Sequence, residues 1–164
     1  SSFQQGGTPR EARPTSMVWC WFFACQTGDN DMDQIEKTLA KWQPTALSLL
    51  RVMAGLLFLQ YGLGKLLKWP PVPMFEKVQL FSLYGAAGTI ELVGGILLVL
   101  GLFTRPVAFI ASGQMAVAYF MSHAPHGFFP ILNRGDLAIL FCFVFLYLVT
   151  AGGGPYSVDA MRKK

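Results

Sequence analysis

The sequence has few ionisable residues and few of the side chains that hold metals. Only 13% of its 164 residues are charged, whereas a soluble domain has about 25%. Three cysteines make no disulfide framework, and two histidines offer little for a metal centre. The net charge of +4 comes from scattered basic residues, which argues against nucleic acid as a partner. No catalytic triad, phosphate loop or haem-ligand pair is present.

Apolar sequence takes the place of charge, because 53% of the residues are hydrophobic. Four apolar segments cover residues 46–67, 83–103, 106–123 and 137–151, and Gln114 interrupts the third. About 20 apolar residues suffice for a helix to cross a bilayer. Residues 74–81 carry apolar and polar side chains on opposite helical faces, which is typical of a helix on a membrane surface. We therefore predict an all-α membrane protein, a bundle of four transmembrane helices with a short interfacial helix between the first and second. The lipid bilayer is its first expected partner.

Prolines suggest where the first apolar helix begins and ends. Pro44 precedes it and Pro70-Pro71 closes it. Residues 1–44 are predicted to be a leader or a disordered segment, since residues 1–16 are polar and rich in proline and glycine. Residues 17–25 suit a signal segment, and the alternative is that they precede the true start. The membrane domain is predicted at 45–155, followed by a short basic tail at 156–164.

The basic residues predict the orientation in the membrane. The terminal side of a four-crossing bundle would carry Lys37, Lys41, Arg105, Arg162, Lys163 and Lys164. The other side would carry Lys65, Lys68, Lys77 and Arg134. The excess on the terminal side predicts that both termini are cytoplasmic.

Glu91 is the one charged residue within the segment 83–103. A carboxylate at the middle of a membrane helix costs about 2.5–3.5 kcal/mol, so it usually faces the bundle interior and has a partner. Glu91 lies three residues after Gly88 and four before Gly95, which places it on a glycine-rich face suited to close helix packing. Two interpretations remain: Glu91 is a functional site, or it forms an ion pair that holds two helices together.

Three residues of the first apolar segment are candidate partners for Glu91. Arg51 and Lys65 are fourteen residues apart and lie on one helical face. At about 1.5 Å of rise per residue, Glu91 lies between them in depth, and Gln60 is nearest to it. For Lys65, the alternative is that its amine extends to the membrane surface.

Several further polar residues are expected at the outer ends of the helices. They are predicted to form, with Glu91, a cluster that opens to the external face, and they are Lys65, His123, His126, Asn133, Arg134 and Asp136. Asp136 has the alternative role of capping the fourth helix. His123 and His126 are weak metal candidates, because metal ligands must converge and Pro125 interrupts the pair. No metal is predicted.

These features together resemble the DoxX family of small four-helix membrane proteins, from Ala46 to Asp159. They come in the family's order: Arg51 with Gly55, Phe58–Gly62–Lys65, Glu91 with Gly94-Gly95, Pro130 to Asp136 with Asn133, and Gly154-Pro155-Tyr156-Ser157-Val158-Asp159. Asp136 differs from the family, which commonly has a glutamate there.

The resemblance implies a bacterial inner-membrane protein. Family relatives include a subunit of a thiosulfate:quinone oxidoreductase and a partner in an oxidoreductase complex linked to oxidative-stress defence. It therefore implies an accessory subunit of a membrane redox complex, with a soluble oxidoreductase as partner, a quinone as cofactor and no catalytic activity alone. The alternative is a small transporter or permeability protein that uses Glu91. A homo-oligomer would supply the room that four helices lack.

Overall fold

The structure, a computed structural model, describes the backbone of residues 16–71, 73 and 82–162, and the side chains of those from residue 32 onward. This part of the chain is all-helical. The helices are α1 (Ser16–Leu66), α2 (Leu83–Leu100), α3 (Thr104–Ala118), α4 (Pro130–Asn133), α5 (Asp136–Ala151) and α6 (Val158–Met161). The chain divides into two compact units, one ending at Lys41 and the other beginning at Trp42. The packing described below belongs to the second unit.

Helix α1 passes through Pro44, so the prediction that this proline precedes the first helix is wrong. A proline removes one backbone donor, but the hydrogen bonds on either side of it can persist. One turn later, the Ser48 hydroxyl donates to the Pro44 carbonyl oxygen at 3.1 Å. The helix ends at Leu66, ahead of Pro70-Pro71, as predicted. The predicted interfacial helix at 74–81 lies outside the described residues, and the domain boundaries stay predictions.

Helix α2 begins at a Ser82 cap, whose hydroxyl accepts from the Gly85 N–H at 3.2 Å. Its buried residues are Gly85, Gly88, Glu91, Gly94, Gly95 and Leu98, which confirms the predicted glycine-rich face. A Cβ atom added at Gly95 would lie 2.8 Å from the Leu59 backbone, and one at Gly62 would overlap the Leu92 backbone. The backbones of α1 and α2 therefore touch, with no room for side chains between them.

Helix α3 packs against α5 and α2, and it continues past Ala118 through a π-helical turn and a 3₁₀ turn to His126. The Ser112 hydroxyl links α3 to α5 by donating to the Cys142 carbonyl oxygen at 2.9 Å. Aromatic rings from α1 and α5 form the centre of the core: Phe58 meets Phe145 edge-on, with ring centroids 4.9 Å apart.

Two described helical stretches are long and apolar enough to cross a membrane, Met32–Leu66 and Leu83–Leu100. Helix α5 is apolar but has only 16 residues, which corresponds to a length of about 24 Å. The all-helical fold and the apolar helices therefore agree with the sequence analysis, while a count of four crossings stays a prediction.

Candidate functional site

Glu91 lies where helices α1, α2 and α3 meet, and it is only 1% exposed. Its Oε1 atom accepts a hydrogen bond from the Lys65 amine at 2.5 Å, which is also an ion pair. The same oxygen accepts from the Gln114 amide at 3.0 Å. One carboxylate oxygen thus joins side chains from three helices.

Glycine residues make this convergence possible. A Cβ atom at Gly88, one turn before Glu91, would lie 3.0 Å from the Lys65 Cβ. The absence of a side chain there lets the lysine stem run along α2 toward the carboxylate. The Lys65 side chain is 12% exposed and turns inward to Glu91, whereas the alternative was extension to the surface.

Gln114 was not among the predicted partners of Glu91. Its Nε2 atom donates to Glu91 and lies 3.3 Å from the Ala87 carbonyl oxygen, so one amide contacts both a side chain and the backbone of α2. The signal in the sequence was its position as a polar interruption of an apolar segment. In an apolar helix, such a residue usually bonds to a neighbouring helix.

Two buried acceptor atoms remain unused in this cluster. Glu91 Oε2 and Gln114 Oε1 have no hydrogen-bond partner within the described residues, although both are shielded from solvent. A buried acceptor without a donor costs about 1–3 kcal/mol. The two residues are already bonded to each other, so their free oxygens belong to one site. That site suits a group that donates hydrogen bonds.

The structure separates the other two candidate partners from Glu91. Gln60 is exposed and makes no bond to Glu91. Arg51 is 1% exposed and donates instead to the carbonyl oxygens of Gly153 and Tyr156, each at 2.8 Å. The fourteen-residue spacing did place Arg51 and Lys65 on one inward face. Arg51 and Lys65 have different partners because the one carboxylate of α2, Glu91, lies near Lys65.

The contacts of Arg51 belong to a second polar cluster, which ties the segment after α5 to α1. The Ser48 hydroxyl accepts from the Tyr156 N–H at 3.3 Å. The Ser157 hydroxyl donates to the Gly154 carbonyl at 2.7 Å and caps α6 through the Ala160 N–H. Gly153 and the Gly-Pro-Tyr-Ser motif that follows it thus form a turn in which the Gly153 and Tyr156 carbonyl groups accept from the buried arginine.

Asp159 extends this second cluster to the start of α3. Its carboxylate accepts from the backbone N–H groups of Phe103 at 2.9 Å and Thr104 at 2.8 Å. Burial acts to raise the pKa of Asp159, but the two N–H donors and the charge of Arg162 outweigh it, so the pKa is lowered overall. Asp159 is therefore held as a carboxylate at a helix N-terminus, where negative charge is favoured.

Asn133 organises a turn and does not join Glu91. Its side chain donates to the Gly127 carbonyl at 2.8 Å and accepts from the Gly135 N–H at 2.8 Å. The His123 ring lies 2.9 Å from the Asn133 carbonyl oxygen through Nδ1. The predicted outer cluster is thus divided, and Asn133 and His123 form their own group.

Asp136 is exposed and lies in the first turn of α5. Gly135 occupies the cap position, so Asp136 is not the cap residue itself, but its carboxylate lies at the positive end of the helix dipole, as the capping alternative expected. The Gly135 N–H is already taken by Asn133, which fixes where the helix begins. His126 is also exposed, and the described residues contain no group of three His, Cys, Asp or Glu side chains suited to a metal.

Comparison with known proteins identifies the family. A family model described as DoxX matches residues 46–124. The chain belongs to the DoxX family. The matched region contains Lys65, Glu91 and Gln114, so the whole cluster around Glu91 lies inside it. The segment that binds Arg51 follows it.

Two similar proteins are each described as an uncharacterised protein. One protein of Haemophilus influenzae is 42% identical and covers 74% of this chain and 93% of its own length. A second protein of the same organism is 32% identical and covers 45% of this chain and 49% of its own length. No solved structure matches this chain.

Proposed function

We propose that this DoxX protein is an accessory subunit of a membrane-associated redox complex and that the Lys65–Glu91–Gln114 cluster binds a quinone-type headgroup. The resemblance to redox-linked DoxX proteins supports the first part. The observation that carries the second is the pair of buried, unfilled acceptors, Glu91 Oε2 and Gln114 Oε1. We further propose four crossings of the bacterial inner membrane with both termini cytoplasmic, on the bias of the basic residues.

The cluster matches the chemistry of such a headgroup. Ligand sites combine an apolar lining with a few polar groups that fix orientation. A quinol carries two hydroxyl donors, and the two free oxygens are acceptors on adjacent side chains. A bound quinol would supply two electrons and two protons as it is oxidised to the quinone. The protein's own part is to hold and orient: Lys65 keeps Glu91 in place, and Gln114 positions the second acceptor.

Replacing two glutamines in turn by leucine tests the headgroup site. The purified full chain in mild detergent is titrated with a short-chain ubiquinol while its melting temperature is followed. We expect stabilisation of the unsubstituted protein and about a tenfold loss of affinity for Gln114→Leu, the equivalent of one hydrogen bond. Gln60→Leu removes the same amide from an exposed position and is the matched control. Absence of stabilisation, or equal affinity of both variants, would refute the site.

The role as a subunit needs a separate measurement. The tagged protein is isolated from its native membranes, and co-purifying proteins are identified by quantitative mass spectrometry. We expect a soluble oxidoreductase at a constant ratio, and we expect it to remain with Glu91→Gln, because that substitution changes the site and leaves the surface unaltered. Loss of every partner at low detergent would contradict the accessory role.

A second function is favoured by one specific observation, the buried Glu91 beside an amine that is 12% exposed. A carboxylate with a cationic partner is typical of proton and ion pathways in membranes. Reconstitution in liposomes with an internal pH dye distinguishes this alternative. Proton or small-acid flux that disappears with Glu91→Gln would favour a transporter over the quinone-binding subunit.

A further inference from the structure

A cleft of about 590 Å³ lies between the start of α3, the segment after α5, and α6. Its lining includes Phe103, Arg105, Gly152, Asp159 and Arg162. Neither Glu91 nor its partners line it. The cleft is therefore a second candidate site, separate from the cluster around Glu91, and its assignment to a lipid rests on the proposed membrane topology.

The charges in this cleft favour an anion. Arg105 is exposed and takes part in no ion pair or hydrogen bond within the part of the chain that the structure describes. Arg162 lies over the Phe103 ring, with its guanidinium carbon 5.6 Å from the ring centre. Asp159 is the acidic residue of the lining, and its two oxygens already accept from backbone N–H groups. Two guanidinium groups thus face one carboxylate that is already engaged.

The Arg105 guanidinium lies beside the residue that ends α5. Gly152 has φ of +83°, and a Cβ atom there would be in ordinary van der Waals contact with the Arg105 Nε, at 3.6 Å. A planar guanidinium in this position can bind two oxygens of a phosphate at once.

The cleft also combines charge with apolar surface. Phe103 is 55% exposed, and Pro106 is exposed beside Arg105. Arg105 lies in the first turn of α3, shortly after the apolar helix α2, and Arg162 lies at the end of α6, which follows the apolar helix α5. In the proposed membrane topology, both come just beyond the ends of apolar helices, which is the level of lipid headgroups. Lys163 and Lys164 come next in the sequence. Basic clusters directly beyond membrane helices attract anionic lipids.

We propose that this cleft binds the phosphate of an anionic phospholipid, with Arg105 and Arg162 contacting the phosphate and Phe103 and Pro106 contacting the apolar part of the lipid. A free phosphate has the same anionic chemistry but no apolar body. The apolar surface beside the two arginines favours the lipid as the source.

The test compares lipids and variants by native mass spectrometry. The full chain in neutral detergent is titrated with phosphatidylglycerol, phosphatidylcholine or inorganic phosphate. We expect preferential retention of phosphatidylglycerol, and we expect that preference to fall roughly fivefold with Arg105→Gln and again with Arg162→Gln. Arg105→Lys keeps the positive charge, so it should lose less of the preference for phosphatidylglycerol than Arg105→Gln does. Arg134→Gln removes an exposed guanidinium elsewhere and is the matched control.

Three results would overturn the proposal. They are equal retention of the two lipids, an equal loss with Arg134→Gln, and displacement of phosphatidylglycerol by millimolar inorganic phosphate. The last result would assign the cleft to a soluble anion. A melting curve for each variant shows that it is folded, which we expect because both arginines are exposed.

Discussion

Glu91 and Arg51 are both 1% exposed, yet their charges are satisfied in different ways. Arg51 donates to two backbone carbonyl groups of one distant segment, Gly153 and Tyr156. Glu91 accepts only from side chains and keeps one oxygen free. Arg51 also has one unpartnered group, its Nε, but that is a donor within a guanidinium that already makes two bonds. Arg51 therefore holds the segment after α5 against α1, while Glu91 has one oxygen that could accept a hydrogen bond from a ligand.

The difference shows that burial of a charge does not by itself indicate function. In the first case, the partners are backbone atoms whose position follows from the path of the chain. In the second case, three side chains converge and two acceptors on them are left over. Two unused acceptors on converging side chains distinguish the candidate site from Arg51, whose one unused N–H belongs to a guanidinium that already makes two bonds.

The largest effect is expected for Arg51→Leu. The substitution removes two hydrogen bonds that a buried guanidinium donates to carbonyl groups. At about 1.5–3 kcal/mol for each bond to a charged group, we expect a loss of about 3 kcal/mol or more in the free energy of unfolding. Thermal melts in detergent measure it. Lys41→Leu, which removes an exposed cation from the same helix, should change stability by less than about 0.5 kcal/mol. A near-neutral result for Arg51→Leu would mean that the segment after α5 is held by other contacts.

An intermediate effect is expected at the Lys65–Glu91 pair. Glu91→Gln and Lys65→Met should each cost about 1–3 kcal/mol, because each leaves a charged partner without its counter-charge. The double variant should cost less than the sum of the two, since no unpaired charge remains. A double-mutant cycle on melting data gives the coupling. Simple additivity would contradict an energetically significant pair.

The smallest effect concerns Asp159 and depends on pH. Its pKa is lowered in the folded protein, so its contribution is present above the unfolded pKa of about 3.9 and is lost as pH falls through the folded value. We expect the melting temperature to fall in this acid range, and Asp159→Asn should reduce that fall. At neutral pH the variant should lose at most about 1 kcal/mol, as for a weakened cap. Asp33→Asn, which removes an exposed carboxylate of α1, is the matched control.

The sequence predicted features that depend on local spacing. Glycines three and four residues from Glu91 identified the buried face of α2, and the double proline identified the end of α1. Both follow from helix geometry and backbone chemistry alone. The family match covers the region in which these patterns occur.

Features that depend on which helices become neighbours were missed. Gln114 was visible as a polar interruption, but only the packing of α3 on α2 places it beside Glu91. Arg51 was predicted as a partner of Glu91 from its depth along the first helix. That estimate compares helices only, so it could not show that the turn after α5 supplies the acceptors of Arg51. Pro44 was interpreted as a boundary, although a long helix tolerates the loss of one backbone bond.

The hydrogen bonds from Arg51 to Gly153 and Tyr156 also have a consequence for the order of events during synthesis. Arg51 precedes its two acceptors by 102 and 105 residues along the chain. Helices α1, α2, α3 and α5 are therefore synthesised before this arginine can reach its partners. The segment after α5 completes the contacts of α1, and a chain that stops before Gly153 would leave Arg51 without both acceptors. We therefore expect α1 to reach its final packing only after this segment has been made.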